Sequence, residues 1–190
     1  MRLRRLQDEF ASDICLEWRS FLLRPQADPS LTLERFRAYT RSWLRVAAEP
    51  DGGTFRVWAT EAGPPSHSVP PHLAAKAAAA LGPGAFEDIH QRLLHAYFAD
   101  NRDITEATTL RAVWDEAGLP AAAFERTGDP ALLDETVAQH HEALALGMTG
   151  VPSLRVEGRS GFVMGAQPLA LYRHWVRRML ADADAGEVTR

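Results

Sequence analysis

Few residues in this chain have both the type and the spacing to do chemistry. Cys15 is the only thiol. A lone thiol can neither close an internal disulfide nor complete a cysteine-cluster metal site. The histidines are His67, His72, His90, His95, His140, His141 and His174. His90 and His95 are five positions apart, and His140 and His141 are adjacent. Neither spacing gives the i, i+4 pair that puts two imidazoles on one helix face around zinc, so they read as surface or half-buried side chains. Ser160 stands in "GRSGF", but no strand-to-helix turn precedes it, and Gly158 to Gly161 reads as a hairpin rather than a nucleophile elbow. The "GPG" at Gly82 lacks the spacing and the lysine of a phosphate loop.

What remains is backbone chemistry near the C-terminus. In "ALGMTGVPSLRVEGRSGFVMGAQPL", Ala145 to Leu169, a helix closes, a loop ends in Val151-Pro152, and two short strands follow around a glycine turn. A proline directly before a strand has two readings. It is an ordinary trans residue opening the strand, or it carries a cis bond, found in only about 5% of X-Pro pairs, that turns the Val151 backbone outward to a ligand. Gln167, in the turn before the last helix, either caps that helix or lines the same groove. Arg19, Phe21 and Arg24 lie in "WRSFLLRP", where they read as a solvated strand end. Ser66 and Ser68 precede a helix and read first as caps.

The elements that must position these residues follow from periodicity. Leu3, Leu6 and Phe10 mark one face of an opening helix. "DICLEWRSFLL" alternates, with Ile14, Leu16 and Trp18 on one side and Cys15, Glu17 and Arg19 on the other, which predicts a strand over Ile14–Phe21. Thr32 caps a helix that runs to about Leu44, with Leu33, Phe36 and Trp43 inward. "TFRVWAT" is a short extended piece and "EAGPPSHSVPP" a Pro-rich connection. From His72 the composition turns Ala-rich and helical, with a stop at Gly82. Pro83 suits the first turn of the next helix, which carries Phe86, Ile89, Leu93, Leu94, Tyr97 and Phe98. Leu110, Val113 and Trp114 face inward on the next, which Gly118 ends. A short helix closes at Gly128, and Asp129-Pro130 caps and opens the helix that leads to Gly147. The final helix carries a stripe of Leu169, Leu171, Tyr172, Trp175, Val176, Met179 and Leu180.

Composition bounds the classes. The chain has 190 residues with 46% apolar, enough for a buried core in one domain. A net charge of −4 speaks against nucleic acid or an anionic membrane surface as partner. No apolar run has signal-peptide or spanning length, so a cytoplasmic chain is expected.

A long helix leading to "GVP", two short strands and a terminal helix resemble the C-terminal half of a thioredoxin-like fold. "LRRLQDEF", "LEWRSFLLRP", "SHSVPPHLAAKAA", "HAYFADNRDITEATTLRAVWDEAGL", "TGVPSLRVEG" and "GAQPL" occur in order over nearly the whole chain. The set resembles the DsbA-like branch that includes the FrnE-type proteins and the 2-hydroxychromene-2-carboxylate isomerases. The resemblance implies an α/β, thioredoxin-like domain over residues 1–66 and 129–190, with an all-helical insertion over 67–128. It implies a cis Val151-Pro152 bond beside a redox site. Gly150, Val151 and Pro152, together with Arg19 and Phe21, would then contact substrate, while no residue of this chain is assigned a catalytic role and none a metal.

One departure bears on activity. The family's first strand and Cys-x-x-Cys motif come just before the helix that here begins at Arg2, and neither is present. Cys15 is no substitute: a reactive thiol in this fold belongs at a helix N-terminus, and a small half-buried strand residue is the expectation for it. The missing strand would lie between Ile14–Phe21 and Ser153–Val156. Met1 is therefore expected to be an internal methionine, with the strand and the dithiol encoded upstream; a shortened paralogue is the alternative. The implied function is that of the thiol–disulfide oxidoreductase family, with the dithiol absent from these residues. Its rivals are a glutathione-dependent isomerase or transferase, and a non-catalytic peptide-binding module. Implied partners are a thiol or disulfide peptide or a small-molecule thiol, with glutathione the one cofactor left open and a homodimer not excluded.

Overall fold

The computed structural model describes residues 2–49 and 51–187. Chain contacts group them into two units, Met1–Trp18 with Ala143–Arg190, and Arg19–Glu142.

In the first unit, α1 (Arg2–Glu9) and α8 (Leu169–Glu187) supply the helices. Leu6 and Phe10 are buried with Tyr172 and Val176, and Leu3, Ile14, Leu154, Val163, Trp175 and Leu180 pack around them. Full burial of a side chain such as Leu6 contributes about 1.5–3 kcal/mol. The Glu9 carboxylate takes both Arg173 and Arg177 of α8, and the Arg177 guanidinium lies 5.9 Å from the Phe10 ring centre. Between the helices stand β1 (Ser153–Leu154) and β2 (Val163–Met164), antiparallel, with Ser153 opposite Met164 and Leu154 opposite Val163. Gly158 and Gly161 in their connection both have positive φ, the backbone that a tight reversal requires. Leu171 departs from the expected stripe and is exposed. It stands one residue from Tyr172, a rotation of about 100° that carries it off the buried face.

The second unit holds α2 (Leu33–Thr40), α3 (Trp43–Ala47), α4 (Val69–Ala79), α5 (Pro83–Phe98), α6 (Ala107–Glu116), a 3₁₀ turn (Ala121–Gly128) and most of α7 (Pro130–Ala145). Its larger core joins Ala74, Ala77 and Ala78 of α4 to Ile89, Leu93 and Ala96 of α5 and to Leu110, Val113 and Trp114 of α6. Alanine on α4 leaves room for the larger side chains opposite, and it holds the helix at no cost in rotamer entropy. A second core is aromatic: Phe36, Trp43 and Trp58 are buried, with Phe55, Tyr97 and Phe98 against them. Trp43 meets Phe98 at 4.9 Å and Phe36 meets Trp58 at 5.0 Å, both edge to face, the geometry that aromatic quadrupoles favour. The Thr32 hydroxyl accepts the Arg35 N–H at 3.3 Å, and Asp129 Oδ1 accepts the Ala131 N–H at 2.9 Å, so both expected caps form.

Several readings change. The Ala-rich helix begins at Val69 and takes Pro70 and Pro71 into its first turn, where a missing N–H leaves no intrahelical bond unmade. The helix after Thr32 breaks at Arg41–Ser42 into α2 and α3. On α5, Leu94 is exposed and Ala96 is buried. The strand expected over Ile14–Phe21 is absent: residues 14–22 form no regular element and join no ladder among the described residues. Trp18 is 41% exposed, off the side it was expected to share with Ile14. Cys15 is exposed rather than half-buried.

Candidate functional site

In the first unit the helix α7 ends at Ala145, and Gly147 turns the chain with φ 82°. The loop that follows reaches a cis Val151-Pro152 bond. Three contacts fix it. The Pro152 carbonyl accepts the Gly165 N–H at 2.8 Å, the Ser153 hydroxyl donates to the Gly150 carbonyl at 2.7 Å, and the Thr149 hydroxyl reaches Met164 Sδ at 3.5 Å. Val151 between them is 50% exposed, and its backbone enters no backbone hydrogen bond among the described residues. It stands two residues before β1, which has β2 on one edge and no strand on the other among the described residues. Exposed strand-edge backbone is a template for an extended peptide.

Gln167 braces this loop from behind. Its Nε2 donates to the Met164 carbonyl at 2.9 Å, and its backbone N–H donates to the Tyr172 hydroxyl at 3.0 Å. That hydroxyl donates in turn to the Gly165 carbonyl at 2.9 Å. The Gln167 side chain thus holds the turn after β2 and does not cap α8.

Arg19 and Phe21 belong to the second unit. They lie on a segment held by side chains rather than by a neighbouring strand. Arg19 pairs with Glu142 of α7. The Ser20 N–H donates to Gln139 Oε1 at 2.8 Å, the Leu22 N–H to His140 Nδ1 at 3.2 Å, and the Arg24 N–H to the Ser68 hydroxyl at 3.0 Å. Ser68 returns a bond from its own N–H to the Arg24 carbonyl at 2.7 Å. It makes no side-chain cap to α4, so its role is to anchor Arg24. Ser66 contacts His67 Nδ1 at 2.8 Å through its hydroxyl. The Arg24 guanidinium lies 5.7 Å from the Phe36 ring centre and near Tyr97, whose phenol burial pushes up to about 12.

Two residues on this segment's mooring had no functional reading in the sequence. His140 is buried, and its ring meets the edge of Phe21 at 5.0 Å. Burial, and then the neighbouring His141, hold it below the ordinary histidine value. His72, on α4, is pushed down to about 4 by burial, with Lys76, His90 and His140 acting in the same direction. The Phe21 backbone opposes this shift.

Among the described residues, no three of His, Cys, Asp and Glu come together as a metal site. None of the described helices is long and apolar enough to cross a membrane.

A family model described as a DSBA-like thioredoxin domain matches residues 1–176. Solved structures share the fold. A candidate protein disulfide isomerase from Nitrosomonas europaea superimposes with a TM-score of 0.74 at 15% identity, covering 98% of this chain and 89% of that one. The cytosolic disulfide reductase DsbM from Pseudomonas aeruginosa gives a TM-score of 0.57 at 22% identity, covering 88% and 83%. The same protein solved with GSH gives 0.52 at 20%, covering 97% and 90%. No curated protein matches the chain.

Proposed function

We propose, from the premise that this chain belongs to the DSBA-like thioredoxin domain family, that it binds a thiol- or disulfide-bearing ligand at Gly150, Val151 and Pro152. The observation that carries this reading is the exposed Val151 backbone, without a backbone hydrogen bond, which enters a cis peptide bond two residues before a strand edge left open among the described residues. An extended peptide, or the peptide-like backbone of glutathione, would bond there and lie along β1. Within the second unit, Arg19 and Phe21 are proposed separately as ligand contacts, the half-exposed Arg19 guanidinium being able to meet a carboxylate.

Thiol–disulfide exchange proceeds by attack of a thiolate on a disulfide through a mixed disulfide. Within these residues Cys15 is the only sulfur of that kind. A complete dithiol cycle therefore lies beyond this chain's own residues, and its part in the reaction is to hold the ligand backbone. Glutathione is favoured as the small-molecule form of the ligand because the DsbM structure with GSH shares the fold.

The test is a titration of the isotopically labelled chain, first with glutathione and then with a short peptide carrying a mixed disulfide. Amide shifts are expected to move at Thr149, Val151 and Ser153. Binding that leaves these amides unmoved, or no binding of either ligand at millimolar concentration, overturns the reading.

A further inference from the structure

The Leu22 N–H is held on α7 by an imidazole: it donates to His140 Nδ1 at 3.2 Å. A ring nitrogen that donates a hydrogen bond keeps it when the ring gains a second proton, whereas one that accepts loses its lone pair and its bond together.

We propose that His140 is an acid-released clasp, which holds the segment Arg19–Arg24 on α7 while its Nδ1 is unprotonated and frees the segment when that nitrogen takes a proton. Above neutrality the ring carries its proton on Nε2 and leaves Nδ1 to the Leu22 N–H. On protonation two N–H groups face one another at a buried position, which is repulsive and unsatisfied. The segment relieves this by leaving the ring.

The surroundings favour release over accommodation. His141 stands beside His140 on α7, with ring centres 5.8 Å apart. Lys76 of α4 reaches Gln139, the residue before His140, at 3.0 Å. His72 on α4, on which Lys76 and His90 act in turn, is held down to about 4 and stays neutral until the pH nears that value, so the like charge comes from Lys76 and from His141 once it is protonated. The nearby carboxylates are engaged elsewhere: Glu135 binds Lys76, and Glu142 binds Arg19. From the segment itself His140 meets the apolar Phe21 ring. The remaining moorings, Gln139 on Ser20 and Ser68 on Arg24, do not titrate, so the expected change is a local detachment centred on Leu22. Local opening restores the imidazole to water and to its ordinary proton affinity, so opening is favoured progressively as pH falls below about 6.5.

The experiment is an NMR pH titration of the full chain from pH 7.5 to 4.5, with amide hydrogen exchange followed at each pH. Above pH 7 the His140 ring nitrogens should show the Nε2–H tautomer. The Leu22 amide shift should then move with the same midpoint as the His140 ring, and the protection of Leu22, relative to the intrinsic exchange rate at each pH, should fall at least tenfold below it. Amides of α5 and α6 should stay protected. In His140→Asn, whose side-chain oxygen can accept the Leu22 N–H without titrating, the Leu22 amide should stay flat through that range. His141→Gln serves as the control and should retain the titration. The proposal is overturned by an Nδ1–H tautomer, by a Leu22 amide that ignores the His140 midpoint, by an unchanged Leu22 titration in His140→Asn, or by loss of protection in all helices together. The tautomer and the unaltered chain's titration decide the matter even where His140→Asn folds poorly.

Discussion

His140 Nδ1 accepts the Leu22 N–H at 3.2 Å although the two residues stand 118 positions apart. The bond joins the start of the second unit to a helix near its end, and its donor is a backbone group that a strand would ordinarily give to a neighbouring strand. Ser20 and Arg24 are moored by side chains in the same way. An isolated segment therefore keeps these donors satisfied, as buried backbone requires.

The first prediction concerns acid. His72 falls from 6.5 to about 4 and His140 also lies low, both chiefly through burial. The unfolded chain thus holds these protons more tightly than the fold does. The fold has its full stability above about pH 6.5 and loses it as pH drops toward 4. A shift of the size seen at His72 corresponds to at most about 3 kcal/mol. Urea unfolding at pH 7.5 and at pH 4.5 should show a clear drop in midpoint, with His72→Gln reducing the difference. Equal midpoints would refute the burial argument.

The helix caps give a second prediction. Thr32 and Asp129 each accept an N–H at the start of a helix. Replacing either by alanine should cost about 1 kcal/mol, and the two effects should add. Replacement by serine at position 32 should be nearly neutral. Thermal melts of the single and double variants measure this.

These caps show what was legible beforehand. Thr32, Asp129-Pro130, Gly118 and the faces of α1 and α6 were readable because each rule acts within a turn or two of chain. The hairpin at Ser153–Met164 and the placement of Val151-Pro152 were readable for the same reason. Ile14–Phe21 was not. Its alternation predicts a strand, but pairing is a property of neighbours, and the donors at Ser20 and Leu22 found Gln139 and His140 instead. No local pattern announces an acceptor more than a hundred residues away. Leu171 failed differently: a hydrophobic type was counted as buried where the face had already turned. Ser68 looked like a cap and is an anchor for Arg24, because position before a helix says nothing of where the hydroxyl points.

A third prediction tests the packing of α4. Ala74, Ala77 and Ala78 are fully buried against α5 and α6. Ala77→Leu inserts a branched side chain where none fits and should destabilise by about 1–3 kcal/mol. Ala79→Leu, on the exposed side of the same helix, should cost little. A pair of equal midpoints would mean that the α4 interface has room.

Cys15 offers a fourth. It is exposed, and it is the one thiol in the chain. Insulin reduction by these residues should not exceed that of Cys15→Ala, since a dithiol cycle needs a second sulfur to resolve the mixed disulfide. Turnover that depends on Cys15 would show that an added small thiol serves as the resolving partner.

Tyr172 links the core of the first unit to the loop that carries Val151. Its ring is buried with Leu6 and Val176, and its hydroxyl accepts from the Gln167 N–H and donates to the Gly165 carbonyl. Gly165 in turn donates to the Pro152 carbonyl. Tyr172→Phe keeps the apolar packing and removes both hydroxyl bonds, leaving two backbone groups short of a partner. The expected cost is about 1–3 kcal/mol. The more specific outcome is positional: amide exchange at Gly165 and Gln167 should rise well before that at Leu6 or Phe10, because the ring still fills its place. Glutathione or mixed-disulfide peptide should then bind more weakly to the variant, at a temperature where the variant remains folded. An unchanged affinity, with faster exchange at Gly165, would mean that the loop's outward face does not depend on this brace.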